Sequence, residues 1–133
     1  EQERRIALFD LKESNTFVVV GETRGPYALT IALADGRLTF DVADRGGERV
    51  CIHHVPMSAF RKIIKDYVLI CESYQNAIRN ATPSQIEAID MGRRGLHNDA
   101  ADILLMLLKE RIEVDIETAR RLFTLVCALQ VRS

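Results

Sequence analysis

The sequence predicts an α+β fold: a small antiparallel β-meander of about three to four strands packed against a bundle of about four to five helices. Three observations carry that expectation. "YALTIALADGRLTFDV" holds two runs of period-two alternation around an Asp-Gly pair. Beyond residue 57, apolar residues recur at helical spacing, and helix-start punctuation interrupts them. The 133 residues, 47% apolar and 28% charged, have the size and composition of one globular domain. Within it, the N-terminal helix and meander are expected at about 1–56 and the helical part at about 58–131.

The elements follow in order. Residues 3–13 suit a short helix, with Ile6/Phe9 and Leu8/Leu11 each three apart, so that much of its surface is apolar. "TFVVV" (16–20) has strand composition and is stopped by "GETRGP". Asp35-Gly36 suits a two-residue type I′ turn, which pairs Ala34 with Arg37, Leu33 with Leu38, Ile31 with Phe40 and Leu29 with Val42. Turn chemistry and the burial of one face demand the same register. A third strand is expected at about 48–55. A two-residue Gly46-Gly47 loop puts Cys51 and His53 on its core face; one residue more puts Val50 and Ile52 there. The second arrangement is preferred, because burying aliphatics is worth about 1.5–3 kcal/mol each.

Ser58 is placed to cap a helix whose apolar stripe is Phe60, Ile63, Ile64, Tyr67, Cys71, Tyr74 and Ile78. Thr82, Pro83 and Gln85 form a capping box with proline at the first helical position. "ADILLMLLKE" is apolar almost all round and is expected to be the most buried helix. Asp115 caps the last helix, whose inner face is Ala119, Leu122, Phe123, Val126 and either Leu129 or Gln130.

Composition narrows the function. A net charge of −1, from 18 basic and 19 acidic residues, removes the electrostatic argument for nucleic acid as a partner. No apolar run approaches the ~20 residues of a membrane span, so no membrane partner is expected. Cys51, Cys71 and Cys127 are far apart in apolar surroundings and read as reduced core thiols of a cytoplasmic protein. No glycine-rich phosphate loop, nucleophile elbow or zinc motif is present, so no cofactor, metal or catalytic residue is assigned. The chain opens on Glu1 rather than Met, and upstream residues are expected.

The densest concentration of chemistry is "MGRRGLHNDAAD" (91–102). An unbroken helix through it carries two glycines at roughly 1 kcal/mol each relative to alanine. A break at Gly95 instead uses Gly95 as a left-handed cap, folds Leu96 back on Met91, and lets Asn98 cap a new helix with Asp99 and Asp102 in its first turn. The break is the expected arrangement. It places Arg93, Arg94, His97 and Asn98 around open backbone amides, a candidate site for phosphate or carboxylate with Tyr67 and Tyr74 lining it. The plainer alternative has the arginines solvated or paired with Asp99 and Asp102, and His97 a turn residue.

Other constellations are weaker. In "CIHH", His53 and His54 point to opposite faces of a strand and cannot share a site, while Cys51 and His53 can. A nucleophile pair there lacks an orienting group and an oxyanion hole, so a half-buried strand is the better reading. "KDYVLICESY" reads as an amphipathic helix with tyrosine hydroxyls at its rim. Arg120 and Arg121 of "ETARRLF" read as a solvated face or ion-pair partners.

The stretches "KDYVLICESY", "ATPSQIEAIDMGRRGLHN" and "TARRLFTLVC" resemble an uncharacterised alphaproteobacterial protein family, number two-six-two of the uncharacterised series; the hairpin and "CIHH" match loosely. The resemblance spans nearly the whole chain and implies a bacterial cytoplasmic protein with some residues before Glu1. It implies no activity, cofactor or active site. Asp66, Tyr67, Glu72, Arg93, Arg94, His97 and Asn98 stand within its signature stretches. Two functions are therefore expected. The first is a non-catalytic regulatory or adaptor protein acting through protein–protein contacts, homodimerisation included, because no catalytic constellation appears and Ile103 to Leu108 offer surplus apolar surface. The second is a binding module or small enzyme for an anionic small molecule at the Gly95 break.

Overall fold

The computed structural model describes residues 2–13, 15–21 and 25–132. Helix α1 (Gln2–Glu13) leads into β1 (Phe17–Val19), then β2 (Ala28–Ala34), β3 (Arg37–Ala43) and β4 (Arg49–Pro56). Three long helices follow, α2 (Arg61–Asn80), α3 (Pro83–Leu108) and α4 (Ile116–Arg132), with β5 (Ile112–Val114) between the last two. The architecture is α+β. β2, β3 and β4 form the three-stranded meander, and β1 and β5 form a separate antiparallel pair. Residues 22–24 of the expected "GETRGP" turn lie outside the described residues.

The hairpin has the register its turn requires. Leu33 faces Leu38, Ile31 faces Phe40 and Leu29 faces Val42. Asp35 and Gly36 take φ of 55° and 72°, as both central positions of a type I′ turn must. The third strand corrects the expectation. Cys51 and Val55 are buried with His53 beside them, while Val50 and Ile52 are only half covered. The cause is a bulge. Pairing runs from Val42↔Cys51 to Ala43↔Arg49 and leaves Val50 as the extra residue. Asp44 tightens the preceding loop by accepting from the backbone N–H of Gly46 and Glu48, each at 3.0 Å. Burial of Val55 on the chosen face offsets the partial exposure of Val50 and Ile52.

Helix punctuation holds in part. The Thr82 hydroxyl accepts from Gln85 N and the Gln85 side chain accepts from Thr82 N, with Pro83 behind them. Thr118 N donates to Asp115 at 2.8 Å, so Asp115 caps α4, and hydrogen bonds from Thr118 hold its carboxyl below the usual range. Ser58 caps nothing. It is exposed in a 3-10 turn, Met57–Ala59, and buried Phe60 stands at the start of α2 without a side-chain cap. The expected break at Gly95 is absent: α3 is one helix of 26 residues, about 39 Å long. Nor is its C-terminal half buried all round. Ala100, Ala101, Leu104 and Leu108 are at 0% exposure, yet Met106 is at 67%.

The core lies between the meander and the helices. Phe40, Phe60 and Phe123 are its largest fully buried side chains, joined by Leu38, Leu104, Leu108, Ile112, Leu122 and Val126. Burial at about 1.5–3 kcal/mol per large side chain makes this cluster the main stabilising element. All four expected inner-face residues of α4 are buried, and Leu129, not Gln130, continues the face.

Candidate functional site

Of the residues singled out in the sequence, Tyr67, Tyr74, Arg93 and His97 come together, and they pack against one another. Antiparallel α2 and α3 bring the Tyr67 ring within 5.4 Å of His97 and place the Arg93 guanidinium 4.9 Å from the Tyr74 ring centre. Phe123 of α4 closes the far side, 5.4 Å from His97 and 5.9 Å from Tyr67. Arg93 Nε donates to Asp90 at 3.1 Å, and Arg94 Nε reaches the same carboxylate at 3.2 Å. Burial disfavours the Arg93 charge, but Asp90, and then the Tyr67 hydroxyl, outweigh it and raise its pKa. Arg94 and Asn98 are exposed. Without a break there is no fresh helix start, and the amides that were to bind an anion are engaged in α3. Asp90 was missed, although its i,i+3 and i,i+4 spacing to the two arginines was in the sequence.

His97 is held neutral. The Thr124 hydroxyl donates to the Arg120 carbonyl at 3.2 Å, so its lone pair accepts from His97 Nε2 at 3.0 Å. That places the imidazole proton on Nε2. Burial, then the positive charges of Arg120 and Arg93, lower the His97 pKa to about 4. The group is a hydrogen-bond bridge between α3 and α4 at neutral pH. The other histidines diverge as their alternation requires. His53 Nε2 donates to the Leu107 carbonyl at 2.8 Å, and His54 Nδ1 meets the Thr39 hydroxyl on the exposed side. Asp66 pairs with Lys62 at 3.0 Å. None of the three cysteines forms a disulfide, and Cys51 and Cys127 are buried. Among the described residues no three His, Cys, Asp or Glu side chains gather as a metal group.

The open site lies elsewhere. A cavity of about 680 Å³ is lined by α1, α4 and β2, within the range that small ligands occupy. One face of α1 forms a wall through Arg4, Leu8, Leu11 and Lys12, at four, seven and eight residues along the helix, with Asn15 beyond its end. Leu29 and Ile31 of β2 form a second wall, and Leu122, Leu125, Ala128 and Leu129 of α4 a third. Tyr27, its ring 6.0 Å from that of Phe17, sits toward the C-terminal end of α1. Thr118, also in the lining, is occupied: its hydroxyl accepts from Thr16 N at 3.0 Å. Arg121 of α4 and Asp10 of α1 approach to 3.8 Å and join the two helices. The alternation of β2 and the Leu8/Leu11 pair were visible in the sequence; that α4 would leave a gap beside them was not.

Fold and site together define a small α+β protein, helices packed on a β-meander, with an apolar cavity at one flank. The chain belongs to the uncharacterised protein family UPF0262, whose model matches residues 1–132. It is 57% identical over 133 residues to the UPF0262 protein of Chelativorans sp. (strain BNC1), covering 99% of this chain and 83% of that one. It is 57% identical over 131 residues to the protein of Azorhizobium caulinodans, covering 97% and 81%, and 57% over 132 residues to that of Phenylobacterium zucineum, covering 99% and 82%. No solved structure matches the chain. Among the described residues no helix is long and apolar enough to cross a membrane.

Proposed function

We propose that the protein is a small-molecule binding module whose site is the cavity between α1, α4 and β2. The observation that carries this reading is the cavity itself: about 680 Å³ of space walled by leucine and isoleucine side chains, with polar groups at few positions. The reading keeps the ligand-binding class foreseen for the Gly95 region and moves its location. The polar groups suit holding a ligand rather than bond chemistry, because Thr118 is already hydrogen-bonded and no histidine or carboxylate lines the space among the described residues.

Titration with N-phenyl-1-naphthylamine, a neutral dye that fluoresces in apolar surroundings, tests it. Saturable binding is expected, weakened about tenfold or more by Ala128→Trp, a loss of about 1.4 kcal/mol, and unchanged by Arg94→Ala. No saturable binding, or equal binding by Ala128→Trp that melts like the parent, contradicts the reading.

An adaptor role is favoured by one further observation. α1 turns Ile6 and Phe9, 52% and 63% exposed, away from the cavity it walls, so occupancy of the cavity is placed to alter an apolar outer face. Sedimentation of the parent and Phe9→Asp tests whether that face joins two copies: a dimer that the substitution dissociates supports it, and a monomer in both contradicts it.

A further inference from the structure

We propose that the cavity takes an amphipathic monocarboxylate, an unbranched acyl-chain acid, with its carboxylate on Lys12 and its tail among the leucines of α4; this rests on the cavity being a ligand site. Charge points to the head group. The ionisable side chains in the lining, other than tyrosine, are Arg4 and Lys12, both cationic, and no Asp or Glu lines the space among the described residues. A cationic or zwitterionic ligand therefore has no counter-charge there, whereas an anionic one does. Lys12 is the cation left over. It is exposed at the C-terminal end of α1 and has no ion pair among the described residues. Nearby Arg121 is engaged with Asp10.

Shape points to the tail. From Arg4 to Lys12 the α1 wall spans eight residues, about 12 Å. The facing surface is made mostly of Leu29, Ile31, Leu122, Leu125 and Leu129. An apolar lining with a lysine at the C-terminal end of α1 fits a chain with one charged terminus, Arg4 at the other end already having a partner. One unengaged cation matches a monoanion better than a dianionic phosphate, which is why the head group is assigned as a carboxylate.

Displacement of N-phenyl-1-naphthylamine by dodecanoate, dodecyl phosphate, dodecanol and dodecylamine, each well below its micellar concentration, tests the assignment. Dodecanoate is expected to bind about fivefold tighter than dodecanol, the upper range for a solvent-exposed ion pair, with dodecylamine weakest and dodecyl phosphate no better than dodecanoate. Lys12→Glu is expected to remove the preference for the acid over the alcohol and leave the dye's own affinity unchanged. Equal binding of acid and alcohol, a clear preference for the phosphate, or an acid preference that survives Lys12→Glu overturns the carboxylate assignment while leaving the cavity reading intact. Failure of the dye itself to bind overturns both.

Discussion

Phe123 and Leu125 stand two residues apart on α4, and the molecule is built in opposite ways around them. Phe123 is fully buried, with the rings of Phe60, Tyr67 and His97 packed at 6.3, 5.9 and 5.4 Å. Leu125 is half-buried and faces the cavity under α1. Around Phe123 polar chemistry is abundant and every group is matched: His97 to Thr124, Arg93 and Arg94 to Asp90, Tyr74 beneath a guanidinium. Around Leu125 polar groups are few, one lysine lacks an ion pair among the described residues, and there is room. Density of titratable residues in a sequence thus does not mark a site when those residues satisfy one another. The binding proposal rests instead on a void beside a half-covered face.

The largest expected effect comes from the filled side. Phe123→Ala is expected to lose about 3–5 kcal/mol of stability, as deletion of a buried phenyl ring does. Leu125→Ala, which enlarges space already open, is expected to cost less than about 1 kcal/mol. Urea denaturation of both variants measures the contrast, and equal costs would erase it.

Next is the acid response of His97. Its folded pKa of about 4 lies below the ordinary 6.5, so the unfolded chain binds more protons between those values. Its contribution to stability is therefore full above about pH 6.5 and is lost as the pH falls toward about 4. With solvent screening of a partly exposed group, the loss is about 1–2 kcal/mol. His97→Gln, which keeps a donor for Thr124, is expected to flatten that part of the stability profile. A parent and variant with parallel profiles would show that burial and the neighbouring arginines do not act on this ring.

The smallest effect concerns the helix that was expected to break. Nothing lies within 4 Å of a Cβ built on Gly95, so Gly95→Ala is expected to stabilise by up to about 1 kcal/mol. A Cβ on Gly92 meets Ile70 Cδ1 at 2.9 Å, so Gly92→Ala gains less, because that side chain must move. Thermal melts order the two. Destabilisation by Gly95→Ala would mean a left-handed backbone there and would restore the broken-helix site.

The parts of the fold legible in the sequence are those that local chemistry determines alone. The Asp35-Gly36 hairpin, the Thr82–Pro83–Gln85 box and the Asp115 cap each rest on residues a few positions apart. The third-strand register failed because a bulge at Val50 changes which residues face inward, and bulges have no strong signature in one sequence. Ser58 failed because burial of Phe60 positions the start of α2 more strongly than a cap does. Gly95 failed because its penalty, roughly 1 kcal/mol, is small beside the packing of α3 between α2 and α4. At Gly92, the close approach of Ile70 gives the glycine a reason that only the tertiary structure contains. Arg93, His97, Tyr67 and Tyr74 lie close together in space, and their mutual saturation through Asp90 and Thr124 was not legible in the sequence. The cavity depends on how far α1 stands from α4, and β1 finds its partner β5 at the far end of the chain; neither relation is local.

Backbone amide shifts recorded with and without dodecanoate test the central claim most directly. The amides of Leu8, Lys12, Tyr27, Leu125 and Leu129 are expected to move, with Arg93, His97 and Asn98 unchanged. Movement centred on Arg93 and His97, or no movement along α1 and the facing side of α4, would contradict it.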